Sequence, residues 1–154
     1  MKQYRKTSMR NYKDITYRDN KARLNLLTEF RDLVHKYFDN SSLNMITGEH
    51  VEKPDARDAR EAINLHLKKV YKIIRLADIN PSALYTPHLA SGDQGSNMDL
   101  ILNIFNLGRN DIPPDAAIDY IERAIDVYKS NRAPSFIRTI NPLFWISLLL
   151  TKSK

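Results

Sequence analysis

Residues 54–77 read PDARDAREAINLHLKKVYKIIRLA, and this stretch decides the fold class. Its apolar side chains recur at steps of three and four residues, which is typical of one face of a helix; they are Ala59, Ile63, Leu67, Val70, Ile74 and Ala77. Pro54 suits the first helical position, because its missing N–H would have no acceptor there. The pattern predicts a long helix that begins at Pro54 and ends before Asn80-Pro81.

The flanking sequence predicts three further helices, at residues 20–38, 98–107 and 113–130. The first and the last show an apolar stripe and a polar face. The middle one has almost no polar face, which is typical of a helix in the centre of a core, and a buried strand is the alternative for so short an apolar run. Residues 81–97 predict a loop. The fold class is therefore predicted as all-α, a bundle of four main helices.

The C-terminal sequence is the most apolar part of the chain, since residues 135–150 read SFIRTINPLFWISLLL. Asn141 can cap a short apolar helix whose first residue is Pro142. The predicted organisation thus has three parts. They are a basic, flexible arm at 1–18, the helical bundle at 19–134, and an apolar C-terminal helix with a basic end at 135–154.

The formal charge of +6 is not spread evenly. Residues 1–23 carry eight cations against two acids, whereas residues 24–154 carry sixteen of each, so the sequence describes a neutral body with a basic arm. The cations of the arm are Lys2, Arg5, Lys6, Arg10, Lys13, Arg18, Lys21 and Arg23.

Several function classes find no support in the sequence. A length of 154 residues fits one domain, and the absence of cysteine excludes a disulfide scaffold, a cysteine zinc site and a thiol nucleophile. The four histidines include no pair at the helical spacing that metal sites use. The sequence predicts no catalytic residue, no metal and no cofactor, and therefore a protein that is not an enzyme.

The C-terminal helix instead predicts contact with a membrane or a partner. Aromatic residues settle at membrane interfaces and lysines reach lipid headgroups, so the predicted contact residues are Phe144, Trp145, Leu148, Leu149, Lys152 and Lys154. The nine residues 142–150 fall short of the ~20 that a spanning helix needs. The helix is expected to lie in the interface, and the alternative is that it closes the core of the bundle.

A resemblance points the same way. Residues 124–128 read AIDVY, and Arg132 and the run FIRTINPLFWI at 136–146 follow. This pattern resembles a segment of uncharacterised bacterial membrane-associated proteins, in which an Asn-Pro-x-Phe-Trp run precedes hydrophobic, membrane-spanning sequence. The resemblance implies membrane association and no catalytic residues. Because this sequence runs only to Lys154, it reads either as a short version or as one without the membrane part.

Three functional hypotheses follow. The first is a helical module, cytoplasmic or peripheral at the inner membrane face, that associates with an anionic membrane surface or a membrane protein through its C-terminal helix. The second is a nucleic-acid-binding or assembly protein that acts through the basic arm, where Tyr4, Tyr12 and Tyr17 can stack on bases. The third is a helical protein-interaction or oligomerisation module with the C-terminal stripe as its interface.

Overall fold

The computed structural model describes residues 10–44, 46, 50–85, 96–108 and 112–150. Helices account for most of them: α1 (Tyr17–Asp39), α2 (Pro54–Arg75), α3 (Pro114–Ser130), α4 (Arg132–Ile140) and α5 (Pro142–Leu150). The predominantly helical fold predicted from the sequence is therefore confirmed.

The first helix, α1, contacts α2, α3 and α4. Its inward side chains Leu27, Phe30, Val34 and Tyr37 follow the spacing of an apolar stripe, and all four are buried. Thr16 caps the helix, because its hydroxyl oxygen accepts a hydrogen bond of 3.2 Å from the backbone N–H of Asp19. This cap places the start of α1 three residues before the predicted position.

The long helices α2 and α3 both run antiparallel to α1. The Lys36 ammonium lies 3.3 Å from the Asp55 carboxylate, which joins the last turn of α1 to the first turn of α2. The Asn20 amide donates a hydrogen bond of 3.1 Å to the carbonyl of Tyr128, which joins the start of α1 to the end of α3. The start of α1 and the ends of α2 and α3 therefore lie at the same end of the molecule.

Two small antiparallel hairpins complete the described elements. β1 (Ser41–Leu43) pairs with β2 (His50–Glu52), and β3 (Ser82–Tyr85) pairs with β4 (Ser96–Asp99). β3 lies within the segment 81–97 that the sequence predicted as a loop, and β4 begins in that segment and ends in the predicted helix over 98–107. The fold is thus mostly helical with a small β component, which the sequence pattern did not predict.

The predicted helix over residues 98–107 is wrong. The chain leaves β4 at Asp99 and turns into a 3-10 turn at Ile104–Asn106. The carboxylate of Asp99 accepts hydrogen bonds from the backbone N–H groups of Ile101 and Leu102, at 3.0 and 2.8 Å, which holds the chain in a turn. The predicted burial is found for Leu100, Ile101, Ile104 and Leu107, which lie in the core, whereas Leu102 is exposed.

The predicted arm is also different where the structure describes it, from residue 10 onwards. Tyr12–Asp14 form a 3-10 turn, and the N–H of Tyr12 donates a hydrogen bond of 3.1 Å to the carbonyl of Leu76. Ile15 is 2% exposed. Residues 10–18 therefore belong to the folded body, and residues 1–9 lie outside the described part of the chain.

The predicted boundary between residues 134 and 135 does not coincide with the end of a helix. α3 ends at Ser130, Asn131 alone connects it to α4, and Pro134 lies in the first turn of α4. A proline in the first turn removes no intrahelical hydrogen bond, since the first backbone N–H groups of a helix have no acceptor within it. The 19–134 boundary of the predicted bundle therefore cuts through α4.

The predicted cap of α5 is present, because the Asn141 side chain accepts a hydrogen bond of 3.0 Å from the N–H of Leu143.

Candidate functional site

The candidate site is the surface of α4 and α5, and the inner side of α4 is fixed to α1. The backbone N–H of Tyr17 donates a hydrogen bond of 2.8 Å to the Thr139 hydroxyl, and the Thr139 hydroxyl donates to the carbonyl of Ser135. The rings of Tyr17 and Phe136 meet edge to face, with centroids 5.8 Å apart. Ser135 is fully buried. These contacts orient α4 on the folded body.

A second set of contacts fixes α4 through Asn131. The Asn131 amide donates to the carbonyl of Tyr12 at 2.6 Å, and its oxygen accepts from the Arg138 guanidinium at 2.9 Å. Arg138 also donates to the carbonyl of Ile15 at 3.4 Å. Because Asn131 is only 7% exposed, this polar group is part of the packed structure and orients the chain between α3 and α4.

The outer side of α4 and the surface of α5 are apolar and exposed. Eight of the thirteen exposed large hydrophobic side chains of the described residues lie here: Phe136, Ile137, Ile140, Leu143, Trp145, Ile146, Leu149 and Leu150. We call this set the α4–α5 apolar surface. Scattered exposed apolar residues are normal on a protein, but a concentration of this kind marks an interaction site.

Trp145 is at the surface and not in the core. Its side chain is 43% exposed, and its indole N–H donates a hydrogen bond of 2.8 Å to the carbonyl of Thr139. Its ring meets that of the half-buried Phe144 edge to face, with centroids 5.8 Å apart. The indole is therefore hydrogen-bonded at its polar edge and accessible elsewhere, an arrangement that suits an aqueous interface.

The remaining predicted contact residues divide between exposed and undescribed positions. Leu149 is 68% exposed. Leu148 belongs to α5, but its side chain lies outside what the structure describes, as do Lys152 and Lys154. The alternative that α5 closes the core does not agree with the exposure of Leu143, Ile146 and Leu149. No helix among the described residues has the length and the apolar character required to cross a membrane.

The predicted cations of the arm differ in exposure where the structure describes them. Lys2, Arg5 and Lys6 lie outside the described residues, whereas Arg10 is half-buried and Lys13, Arg18 and Lys21 are exposed. Lys13 is paired with Asp78 at 3.5 Å. The expectation for Arg23 as a contact residue is wrong, because its guanidinium is buried and donates to the Tyr128 hydroxyl at 3.1 Å.

The structure also reveals a polar cluster that the sequence did not predict. The Tyr37 hydroxyl donates to Glu52 at 3.0 Å and accepts from Arg60 at 3.0 Å, and Arg60 pairs with Glu52. Burial raises the pKa of Tyr37. These side chains are 8 to 23 residues apart along the chain, so no local sequence motif predicts the cluster. Their hydrogen bonds are to one another, which is typical of a structural group at the edge of a core.

The described residues include no group of three or more His, Asp or Glu side chains that could hold a metal ion. No family model, no curated protein and no solved structure matches this chain. The assignment of function therefore rests on the α4–α5 apolar surface.

Proposed function

We propose that this chain is a non-enzymatic helical module that docks on a membrane surface through the α4–α5 apolar surface. The observation that supports it is the exposure of Leu143, Trp145, Ile146 and Leu149 on α5, which follows a helix, α4, whose inner side is packed against the body. A helix of nine residues is about 14 Å long, which suits a helix that lies in the interface and not one that spans the bilayer.

The free energy of burying the exposed side chains of α5 is large enough for reversible membrane binding. Complete burial of one large apolar side chain is worth about 1.5–3 kcal/mol, and a K of about 10⁴ M⁻¹ for a single myristoyl chain marks the threshold of useful membrane affinity. Leu143 and Leu149 are about 70% exposed, so each has most of its apolar area still to bury. Partial insertion of four such side chains exceeds that threshold even after some of the gain is lost to ordering.

Co-flotation with vesicles of phosphatidylcholine and phosphatidylserine tests the proposal. The variant Leu143→Ser/Leu149→Ser is expected to bind at least about 10-fold more weakly, because it removes two inserting side chains. The matched control is Ile46→Ser/Val51→Ser, which changes two exposed apolar residues near the β1–β2 hairpin. Its affinity is expected to equal that of the parent.

Two results would overturn the proposal. One is the absence of parent protein from the vesicle fraction, and the other is an equal loss of binding by both double variants. Mass determination separates the interaction alternative, because an α4–α5 interface between copies would make the parent oligomeric and the Leu143→Ser/Leu149→Ser variant monomeric.

The alternative of nucleic-acid binding through the arm receives less support from the described residues. Arg23 is buried, and Lys13 is paired with Asp78. Both facts reduce the positive charge that residues 10–23 present to a ligand.

A further inference from the structure

The C-terminal half of α2 presents a basic face that the proposed function does not use. Lys68, Lys69, Lys72 and Arg75 are all exposed, and we call them the α2 basic face. Residues 62–77 contain no acid, so these charges are not neutralised along the helix. Arg75 donates a hydrogen bond to the side chain of Asn80, which fixes the end of the face.

A short segment joins this end of α2 to the candidate site. The N–H of Tyr12 bonds to Leu76, the cap of α2, and the N–H of Tyr17 bonds to Thr139 on α4. Residues 12–17, which we call the strap, can span at most about 18 Å. The end of the α2 basic face and the start of the α4–α5 apolar surface therefore lie at the same end of the molecule, joined by a strap of at most about 18 Å.

The charges of the three long helices are divided between the two ends. At the end that holds the strap, residues 17–28 carry a formal charge of +2, residues 65–75 carry +4 and residues 123–130 carry +1. The opposite halves carry −1 at residues 29–39, −1 at residues 54–64 and −3 at residues 114–122. Since α1 is antiparallel to α2 and α3, the helix halves at the end that holds the strap sum to +7, which includes the buried Arg23, and the opposite halves sum to −5. Asp78, which follows α2 at the strap end, lies outside this sum and pairs with Lys13.

The helix that carries the apolar surface adds to the positive end. α4 contributes Arg132 and Arg138 and no acid. Arg132 lies at the strap, where it donates a hydrogen bond of 3.1 Å to the Tyr17 hydroxyl and, with its positive charge, lowers the pKa of that phenol. Cationic and exposed apolar groups thus occur together at what we call the basic end.

We infer that the basic end is a docking surface for anionic phospholipids, in which the α2 basic face binds headgroup phosphates and carboxylates while α4 and α5 insert. The inference rests on the proposed function and adds the lipid class and the orientation. The acidic end then points away from the membrane, because an anionic surface repels it. Each exposed Lys or Arg held near an anionic leaflet favours binding about 5-fold.

Charge neutralisation on α2 tests the inference. The variant Lys68→Gln/Lys69→Gln/Lys72→Gln is expected to bind phosphatidylcholine–phosphatidylserine vesicles on the order of 100-fold more weakly than the parent. Its binding to phosphatidylcholine alone is expected to be unchanged. The matched control, Lys36→Gln/Lys53→Gln/Arg57→Gln, removes the same charge from the acidic end and is expected to bind as the parent does.

The outcomes separate the two proposals. If the parent binds vesicles with and without phosphatidylserine equally, or if both triple variants lose affinity equally, the inference is wrong and the proposed function stands. If the parent binds neither type of vesicle, both the inference and the proposed function are wrong. A single-stranded oligonucleotide is the third probe, and loss of its binding in the α2 variant, with vesicle binding intact, would make the α2 basic face a nucleic-acid site.

Discussion

The two most apolar stretches of the chain have opposite environments. Residues 98–107 supply Leu100, Ile101, Ile104 and Leu107, all of which are 0% exposed. Residues 142–150 supply Leu143, Ile146 and Leu149, each of which is more than half exposed. Composition does not separate them, since both lack a polar face. Their burial depends on how each stretch is attached to the rest of the fold.

The first stretch is attached to the fold at both ends. β4 pairs with β3 before it, the N–H of Leu100 donates to Pro81 at 2.8 Å, and Gly108 after it donates to Ile112 at 2.8 Å. The second stretch follows α4, whose inner side is already occupied by the contacts of Ser135 and Thr139 with the body. The apolar side chains of α5 therefore remain at the surface as a consequence of how α4 packs.

The largest expected difference between the two stretches is the effect of a substitution on the free energy of unfolding. Ile104→Ala is expected to lower the free energy of unfolding by about 2–5 kcal/mol, because it leaves a cavity in the core. Leu143→Ala, an equally large-to-small change in the exposed stretch, is expected to stay within about 0.5 kcal/mol of the parent. Urea unfolding measures both. Similar losses for the two variants would show that α5 is packed as part of the core.

The same comparison explains which parts of the fold the sequence predicts. α2 and α3 have clear apolar stripes and a proline at the first helical position, so their positions follow from local rules. The turn at Asp99 depends on one carboxylate that accepts from two backbone N–H groups. The apolar residues that follow Asp99 favour a helix or a strand in a sequence-based prediction, so this turn was not predicted. Ile15 lies among basic residues, so its burial against the body depends on contacts distant in sequence.

The candidate site was predictable in its composition but not in its extent. Pro142, Trp145 and the leucines of α5 mark an apolar helix from sequence alone. The contribution of Phe136 and Ile137 depends on which face of α4 binds α1, which the hydrogen bond between Tyr17 and Thr139 determines. The position of the α2 basic face relative to this site depends on the contacts of the strap with α2 and α4. These contacts are distant in sequence, so local sequence patterns do not predict them.

A smaller effect is expected at the buried contact between the three long helices. The Tyr128 hydroxyl donates to the carbonyl of Ile73 at 3.0 Å and accepts from Arg23 at 3.1 Å. Tyr128→Phe removes both bonds and leaves the buried Arg23 with one partner fewer, so we expect a loss of about 1–3 kcal/mol in thermal or urea unfolding. Tyr17→Phe is the control, since its hydroxyl bonds to the exposed Arg132 and its loss is expected to be smaller. Equal losses would contradict this role for Tyr128.

The pH dependence of stability gives the smallest of these effects. Burial raises the pKa of both Tyr37 and Tyr128 above the ordinary value of about 10 for tyrosine. Folding therefore favours the protonated phenols, and this contribution is complete below pH ~10 and is lost as the pH rises through the folded-state pKa values. Unfolding free energies measured above pH ~10 are expected to fall, and less steeply in Tyr128→Phe. An unfolding free energy of the parent that does not change above pH ~10 would contradict this role for the two tyrosines.

The fluorescence of Trp145, the single tryptophan of the chain, tests the membrane proposal most directly. When phosphatidylcholine–phosphatidylserine vesicles are added, we expect its emission to shift to shorter wavelength and brominated acyl chains to quench it, because the exposed indole enters the interface. An unchanged, unquenched emission from protein that floats with the vesicles would contradict docking through α4 and α5.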